Sequence, residues 1–457
     1  MDSNGIKMDN KRVVIIGGGT FSHVRNHLSL AAPAFGRTAR VLNRICQESF
    51  SKMDVVPILT RMAGKNLNRH SAKLLAEIKN KDFDARLITN QDISILLDHL
   101  TQDDKTKIIF MSAALVDFDG QIGETISDKH ATRLLTTDGE TTMRLTPAEK
   151  IISKIRKTRK DIFLIGFKTT TGKSADEQYI AGLELCKRAS CNLVLANDTV
   201  TRLNMIVTPE EARYGVSTVR ERTLQELVEI AKLRSHLTFT RSTVVSGEPV
   251  PWNSELVPNS LRTVVNYCIE QGAYKPFGGL TAGHFACKLD DQTFLTSIRK
   301  TDFNRISEIG LVKVKTDGPD TVIAYGAKPS VGGQSQRIVF NDHPGYDCIV
   351  HAHVPIREGS EVPVVSQREF ECGSMACGQN TSRGLKQFGN LSAVYLNEHG
   401  PNIVFHHSID PKEVIDFIEK NFDLSQKTGG FVSMKAIIAS GNTPEMTTLE
   451  TAERLLK

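Results

Sequence analysis

Five short apolar runs constrain the first half of this 457-residue chain more than any other feature. They are Arg12-Val13-Val14-Ile15-Ile16-Gly17-Gly18-Gly19-Thr20, Val55-Val56-Pro57-Ile58-Leu59, Lys107-Ile108-Ile109-Phe110-Met111, Ile162-Phe163-Leu164-Ile165-Gly166-Phe167 and Asn192-Leu193-Val194-Leu195-Ala196. Continuous apolar runs of this length suit strands buried on both faces, as in a parallel sheet. Between them, 67–80 and 174–190 place apolar residues three to four apart, as helices packed by one face do. Arg220 to Leu233 adds another, with Leu224, Leu227, Val228 and Ala231 on one side. Strands alternating with helices predict a doubly wound α/β sheet, whose ligands gather at the C-terminal ends of its strands. The first such end, Gly17-Gly18-Gly19-Thr20, is expected to bring backbone amides close to a ligand and to open a helix toward a phosphate. Gly172-Lys173-Ser174 lacks the preceding spacing of a phosphate-binding loop and is set aside.

A break follows. The stretch 237–257, with Gly247, Pro249 and Pro251 around the single Trp252, reads as a linker. The expected organisation is a doubly wound α/β domain over 1–236 and a second, strand-rich domain over 258–457. The latter opens with a helix near 259–271 and continues strand-rich, with glycine turns. In Ile349-Val350-His351-Ala352-His353, an extended backbone sends the two histidines to one face. His399 follows in Leu396-Asn397-Glu398-His399-Gly400. Three imidazoles suit a borderline divalent ion and leave a position open for a substrate oxygen. The bland alternative is three histidines on a half-buried strand that bind nothing. His284, His343, His406 and His407 are expected at satisfied or surface positions.

Composition bounds the rest. Hydrophobic residues at 40% and charged residues at 24% describe a globular chain. No apolar stretch approaches the roughly 20 residues of a membrane span. The N-terminus lacks a signal-peptide pattern, so a cytoplasmic setting is expected. The eight cysteines form no Cys-x-x-Cys pair, which argues against a zinc knuckle or a disulfide scaffold. A net charge of +5 and a single Trp argue against a nucleic-acid surface.

The N-terminal segments, over roughly 10–235, resemble the phosphopantothenate–cysteine ligase family. The shared order is Gly18-Gly19-Thr20 at a strand end, Ser112-Ala113-Ala114-Leu115-Val116-Asp117-Phe118, Gly166-Phe167-Lys168 before a helix, and Ala196-Asn197-Asp198. Asp138 to Leu145 looks like the family strand before a Pro-containing helix start. The resemblance implies that ATP or CTP activates a phosphopantothenate carboxylate, which a cysteine amine then attacks. It would put Gly18, Gly19 and Thr20 on phosphate, and Ala114, Asp117, Phe167, Asn197 and Asp198 around the nucleotide and pantothenate. Two places depart. The family's Asn-x-Ser-Ser-Gly-Lys/Arg loop reads Ala31-Ala32-Pro33-Ala34-Phe35-Gly36-Arg37, and its basic stretch reads Asp128-Lys129-His130-Ala131-Thr132-Arg133. Arg37 and Lys129 are the candidate catalytic cations, with Arg133 beside them.

From about 258 onward the chain resembles the class II aldolase/adducin family. The landmarks are Phe277-Gly278-Gly279-Leu280-Thr281-Ala282-Gly283-His284, Thr293-Phe294-Leu295-Thr296-Ser297, Arg299-Lys300-Thr301-Asp302-Phe303, Leu311-Val312-Lys313-Val314, Pro329-Ser330, His351-Ala352-His353 and Glu398-His399-Gly400. The resemblance implies an αβα fold, often tetrameric, in which zinc or another divalent ion serves aldol cleavage or epimerisation of sugar phosphates. His351, His353 and His399 would be the ligands. Gly279, Thr281, Thr296, Ser297 and Ser330 would hold the substrate phosphate. The family carboxylate that follows Pro-Ser-Ser is missing from Pro329-Ser330-Val331-Gly332-Gly333-Gln334, leaving Glu369 or Glu371 as substitutes. The combined expectation is a two-module, homo-oligomeric (dimer or tetramer) metabolic enzyme acting on phosphorylated small molecules. The alternatives are a nucleotide- and metal-binding scaffold without turnover, or a chain in which only the lyase module is active.

Overall fold

The computed structural model describes residues 10–64 and 69–427. They form two compact units: 10–208 with 214–235, and 209–213 with 236–427. The first is built on a seven-stranded sheet, in the order Arg213–Ser217, Asn204–Val207, Leu193–Asp198, Phe163–Thr170, Thr106–Ala114, Arg12–Gly19, Asp54–Leu59. The last five of these run parallel, and Asn204–Val207 is antiparallel to its neighbour Leu193–Asp198. The apolar runs are what the sheet buries: Val13 to Ile16, Ile108 to Phe110 and Leu193 to Ala196 are all wholly inaccessible. Helices Arg37–Ser49, Asn90–Gln102, Ala175–Ala189 and Arg220–Arg234 supply the covering layers. Two of them start with reciprocal caps, Thr89 with Asp92 and Ser174 with Glu177, which satisfy amides that a helix start leaves open. The expected helix over 67–80 is present as Arg69–Glu77, and its first two positions lie outside the described residues.

One local expectation fails. The strand ending at Gly19 does not run into a helix; it enters a hairpin, Phe21–Arg25 against Leu28–Ala31, and the helix begins only at Arg37. The glycines answer to packing. A Cβ on Gly18 would sit 2.1 Å from Thr60 Oγ1, and one on Gly19 would sit 2.0 Å from the Ala32 carbonyl oxygen.

The second unit carries a ten-stranded sheet among the described residues. Its middle is antiparallel: Thr293–Ser297, His284–Lys288, Cys348–His351, Gly400–Phe405, Leu391–Leu396. Side chains alternate between two cores. Phe285, Val350 and Phe405 join a cluster with Leu261 and Val264 of helix Asn259–Glu270 and with Val414 and Ile418 of helix Pro411–Asn421. Ala286, Ile349 and Val404 join another with Val339 and Phe340 of helix Gln334–Asp342. The period of two along each strand thus produces helices on both faces. The segment 237–257, expected as a linker, is part of this unit. Arg241–Val245 pairs in parallel with Thr321–Tyr325, and Trp252 is buried in the first cluster. No helix among the described residues is long and apolar enough to cross a membrane.

Candidate metal centre

Sheet register assembles the histidines. His351 ends its strand opposite Asn402 on one neighbour and opposite His284 on the other. His353 lies two residues on, and His399 sits in the turn between Leu391–Leu396 and Gly400–Phe405. Residue 400 must be glycine there, because its φ is 141° and a Cβ would lie 2.1 Å from the Ala352 carbonyl oxygen. All three histidines are buried. Each offers one ring nitrogen, and these three atoms lie within 4.8 Å of one another. Ring centroids are 4.6 to 5.1 Å apart.

The tautomer of His351 is fixed by its surroundings. Its Nδ1 lies 2.7 Å from the Pro401 carbonyl oxygen, which can only accept, so Nδ1 carries the proton. Nε2 is then a bare lone pair, buried and without a hydrogen-bond partner. Burial, with the neighbouring His399, His284 and His353, holds the His351 pKa well below its ordinary value. A neutral imidazole with an unused buried lone pair, aimed among two other imidazoles, is the donor set that a zinc-like cation requires. The residues present fit such an ion.

His284, expected at a satisfied or surface position, is neither. It is buried, its ring centroid is 4.8 Å from that of His351, and its Nδ1 has no hydrogen-bond partner. Burial and the nearby His353 push its pKa down to about 3, so it too stays neutral. His343 bonds Ser382, as expected for a satisfied side chain. His406 and His407 stand half-exposed beside Asp347.

The expected phosphate residues divide. Thr281 Oγ1 donates to the Thr301 carbonyl, Thr296 Oγ1 to that of Phe285, and Ser330 Oγ to that of Gly283. Ser297 Oγ is buried with no partner, so it is the hydroxyl of the set still available to a ligand. Gly279 is exposed in a tight turn closed by the reciprocal Phe277 and Leu280 bonds, with φ of 76°. Of the two substitute carboxylates, Glu369 is exposed and Glu371 buried. The carboxylate that does approach the ligand set is Glu211, whose Oε2 lies 3.5 Å from His353 Nδ1. No local sequence signal marks it.

In the other unit, the strand ends do bring the expected residues to one sheet edge. Gly19 pairs with Ala114, and Thr169 and Thr170 pair with Asn197 and Asp198. Several of them are nevertheless committed internally. The Gly19 amide donates to the Ala34 carbonyl and the Thr20 amide to that of Ala114. Thr20 Oγ1 donates to Asn90 Oδ1 and accepts from the Val116 amide. Gly19 and Thr20, expected on phosphate, thus have these groups bonded within the chain, and at Gly18 Thr60 fills the space a Cβ would take. Asp117 is exposed and pairs with Lys150. Arg37 and Lys129 are exposed on separate segments, while Ala114 and Phe167 are partly accessible.

Asp198 is a structural hub. Its carboxylate accepts from the amides of Gly172, Lys173, Val200 and Thr201 and from Thr170 Oγ1. Burial alone would raise its pKa, but these bonds outweigh it and hold the carboxyl below the usual value. Asp198→Ala is therefore expected to cost about 2–3 kcal/mol, read as faster amide exchange at Gly172, Lys173, Val200 and Thr201. Because the folded pKa is depressed, this stabilisation is full above the unfolded value of 3.8 and fades as pH falls below it. Unchanged exchange in the variant would contradict the assignment.

The family model of the class II aldolase and adducin N-terminal domain matches residues 264–358. No curated protein sequence matches the chain. Similar solved structures include the DNA/pantothenate metabolism flavoprotein of Streptococcus pneumoniae, at 17% identity and TM-score 0.37, over 48% of this chain and 97% of that one. The C-terminal domain of the coenzyme A biosynthesis bifunctional protein CoaBC is similar at 13% identity and TM-score 0.34, over 50% of this chain and 97% of that one. An L-fuculose 1-phosphate aldolase is similar at 15% identity and TM-score 0.28, over 44% of this chain and 97% of that one. The chain thus joins a parallel-sheet α/β unit to a unit that carries the class II aldolase and adducin signature over residues 264–358.

Proposed function

We propose that the second unit is a divalent-metal lyase or epimerase acting on a phosphorylated small molecule, with His351, His353 and His399 as the metal ligands. The observation that carries this reading is the buried, unpartnered Nε2 of His351 among two further imidazoles. The family match supports it, since 264–358 includes two of the three histidines. When bound, zinc or a similar cation would polarise a substrate carbonyl or hydroxyl oxygen. The chain's own residues prepare the place. The Pro401 carbonyl keeps His351 in one tautomer, His284 adds a neutral polar wall, and Ser297 offers a hydroxyl to a substrate oxygen.

In the first unit, Ala114, Phe167 and Asn197 at the sheet edge are the places for a nucleotide, ATP or CTP, or a phosphopantothenate-like ligand. Thermal stabilisation by either nucleotide would test that edge. A scaffold without turnover is favoured by the carboxylate-free turn Pro329 to Gly333. Incubation with phosphorylated ketoses and aldoses separates the readings. The lyase reading expects zinc-dependent appearance of two carbonyl fragments, abolished in His351→Ala. Zinc binding with no conversion of any of them would favour the scaffold. Sedimentation or light scattering of the full chain tests the expected dimer or tetramer.

A further inference from the structure

The short segment Pro209–Arg213 belongs to the histidine-bearing unit although it lies far from the histidines in sequence. It carries charge into a buried place. Glu211 is 5% exposed and Lys427 is 2% exposed. Their side chains form an ion pair, and the same carboxylate oxygen, Glu211 Oε2, lies 3.5 Å from Nδ1 of His353. From the same segment, Arg213 interacts electrostatically with Glu398, the residue before His399.

This arrangement is expensive if its purpose is packing. Glu211 sits at φ 72°, a region that costs a non-glycine residue of order 1 kcal/mol or more. Taking two charges out of water costs several kcal/mol each before their attraction is counted, and apolar side chains of similar volume usually serve a core as well or better. The location supplies the missing reason. A carboxylate at the far nitrogen of a ligand histidine fixes its tautomer and ring orientation and raises its basicity. The Pro401 carbonyl holds His351 through a hydrogen bond of 2.7 Å, and Glu211 faces His353 as an ion-pair partner at 3.5 Å. Glu211 is not one of the residues whose donor atoms gather within 4.8 Å, so its effect reaches the ion through His353.

We propose that Glu211, held in place by Lys427, is the positioning carboxylate of the metal site, orienting His353 through Nδ1 and leaving the other ring nitrogen to the ion. The inference rests on the metal reading above. Its test uses the full chain with zinc in chelator competition and cobalt(II) as an optical probe. The proteins compared are wild type, Glu211→Gln, Glu211→Ala and Glu211→Asp. Glu211→Gln keeps the shape and removes the charge, so it remains informative where the alanine variant misfolds, and the fluorescence of Trp252 reports folding of the unit. Zinc affinity is expected to fall about 10- to 100-fold in Glu211→Gln, with altered visible cobalt bands, and to recover in part in Glu211→Asp. A purely structural Glu211 would leave the cobalt spectrum of the folded variants unchanged. Wild-type affinity and spectrum in both Glu211→Gln and Glu211→Ala overturn the inference while the metal site stands. A wild type that binds neither ion overturns both.

Discussion

Zinc-dependent stabilisation of the second unit is expected to vanish in His351→Ala. A ligand that binds only the folded state stabilises it by about 2.7 kcal/mol at roughly a hundred times its Kd. The chain's single tryptophan, Trp252, is buried in the core of this unit, so its fluorescence follows this unit's unfolding. The variant also loses the donor that satisfies the Pro401 carbonyl, and so is less stable even without metal. The informative comparison is each protein with and without zinc. Wild type should shift and His351→Ala should not. An equal shift in both would remove His351 from the ligand set.

The largest purely structural effect is expected at Phe285. It is fully inaccessible, and its ring meets those of Phe303, Trp252 and Tyr274 edge-on at centroid distances of 5.2, 5.6 and 5.9 Å. Such pairs add to the area they bury. Phe285→Ala should therefore cost about 3–5 kcal/mol, seen as a lower urea midpoint in Trp252 fluorescence. The adjacent His284 lies against His351, so the same variant should also bind zinc less tightly. A loss below about 1 kcal/mol, far under the usual range for a buried Phe, would mean that this cluster is not the core of the unit.

What the sequence reveals follows the range of the forces involved. The five apolar runs are legible because strands buried on both faces need only apolar residues in succession. His351 and His353 are legible because a period of two is local. The fate of Gly18 and Gly19 is not, since it is set by Thr60 and by the Ala32 carbonyl, contacts that only the folded chain creates. The same holds for Trp252: the Pro and Gly around it read as a linker, but the strand Arg241–Val245 finds its partner far downstream. His284 becomes part of the site through antiparallel register with His351. Glu211 illustrates the limit most clearly. The sequence offers no carboxylate beside Pro329-Ser330, yet the one that approaches His353 arrives from a distant segment and in a backbone conformation that disfavours glutamate.

The most direct measurement is the metal content of full-length protein purified without chelator and re-equilibrated with zinc, compared with the His351→Ala/His353→Ala double variant. The difference between the two discounts zinc held by the half-exposed Asp347, His406 and His407 group, which both proteins share. One zinc per chain more in the wild type than in a folded double variant is the expected result. Equal zinc in the two, or none in a wild type whose Trp252 fluorescence shows the unit folded, would contradict a metal centre at these three histidines.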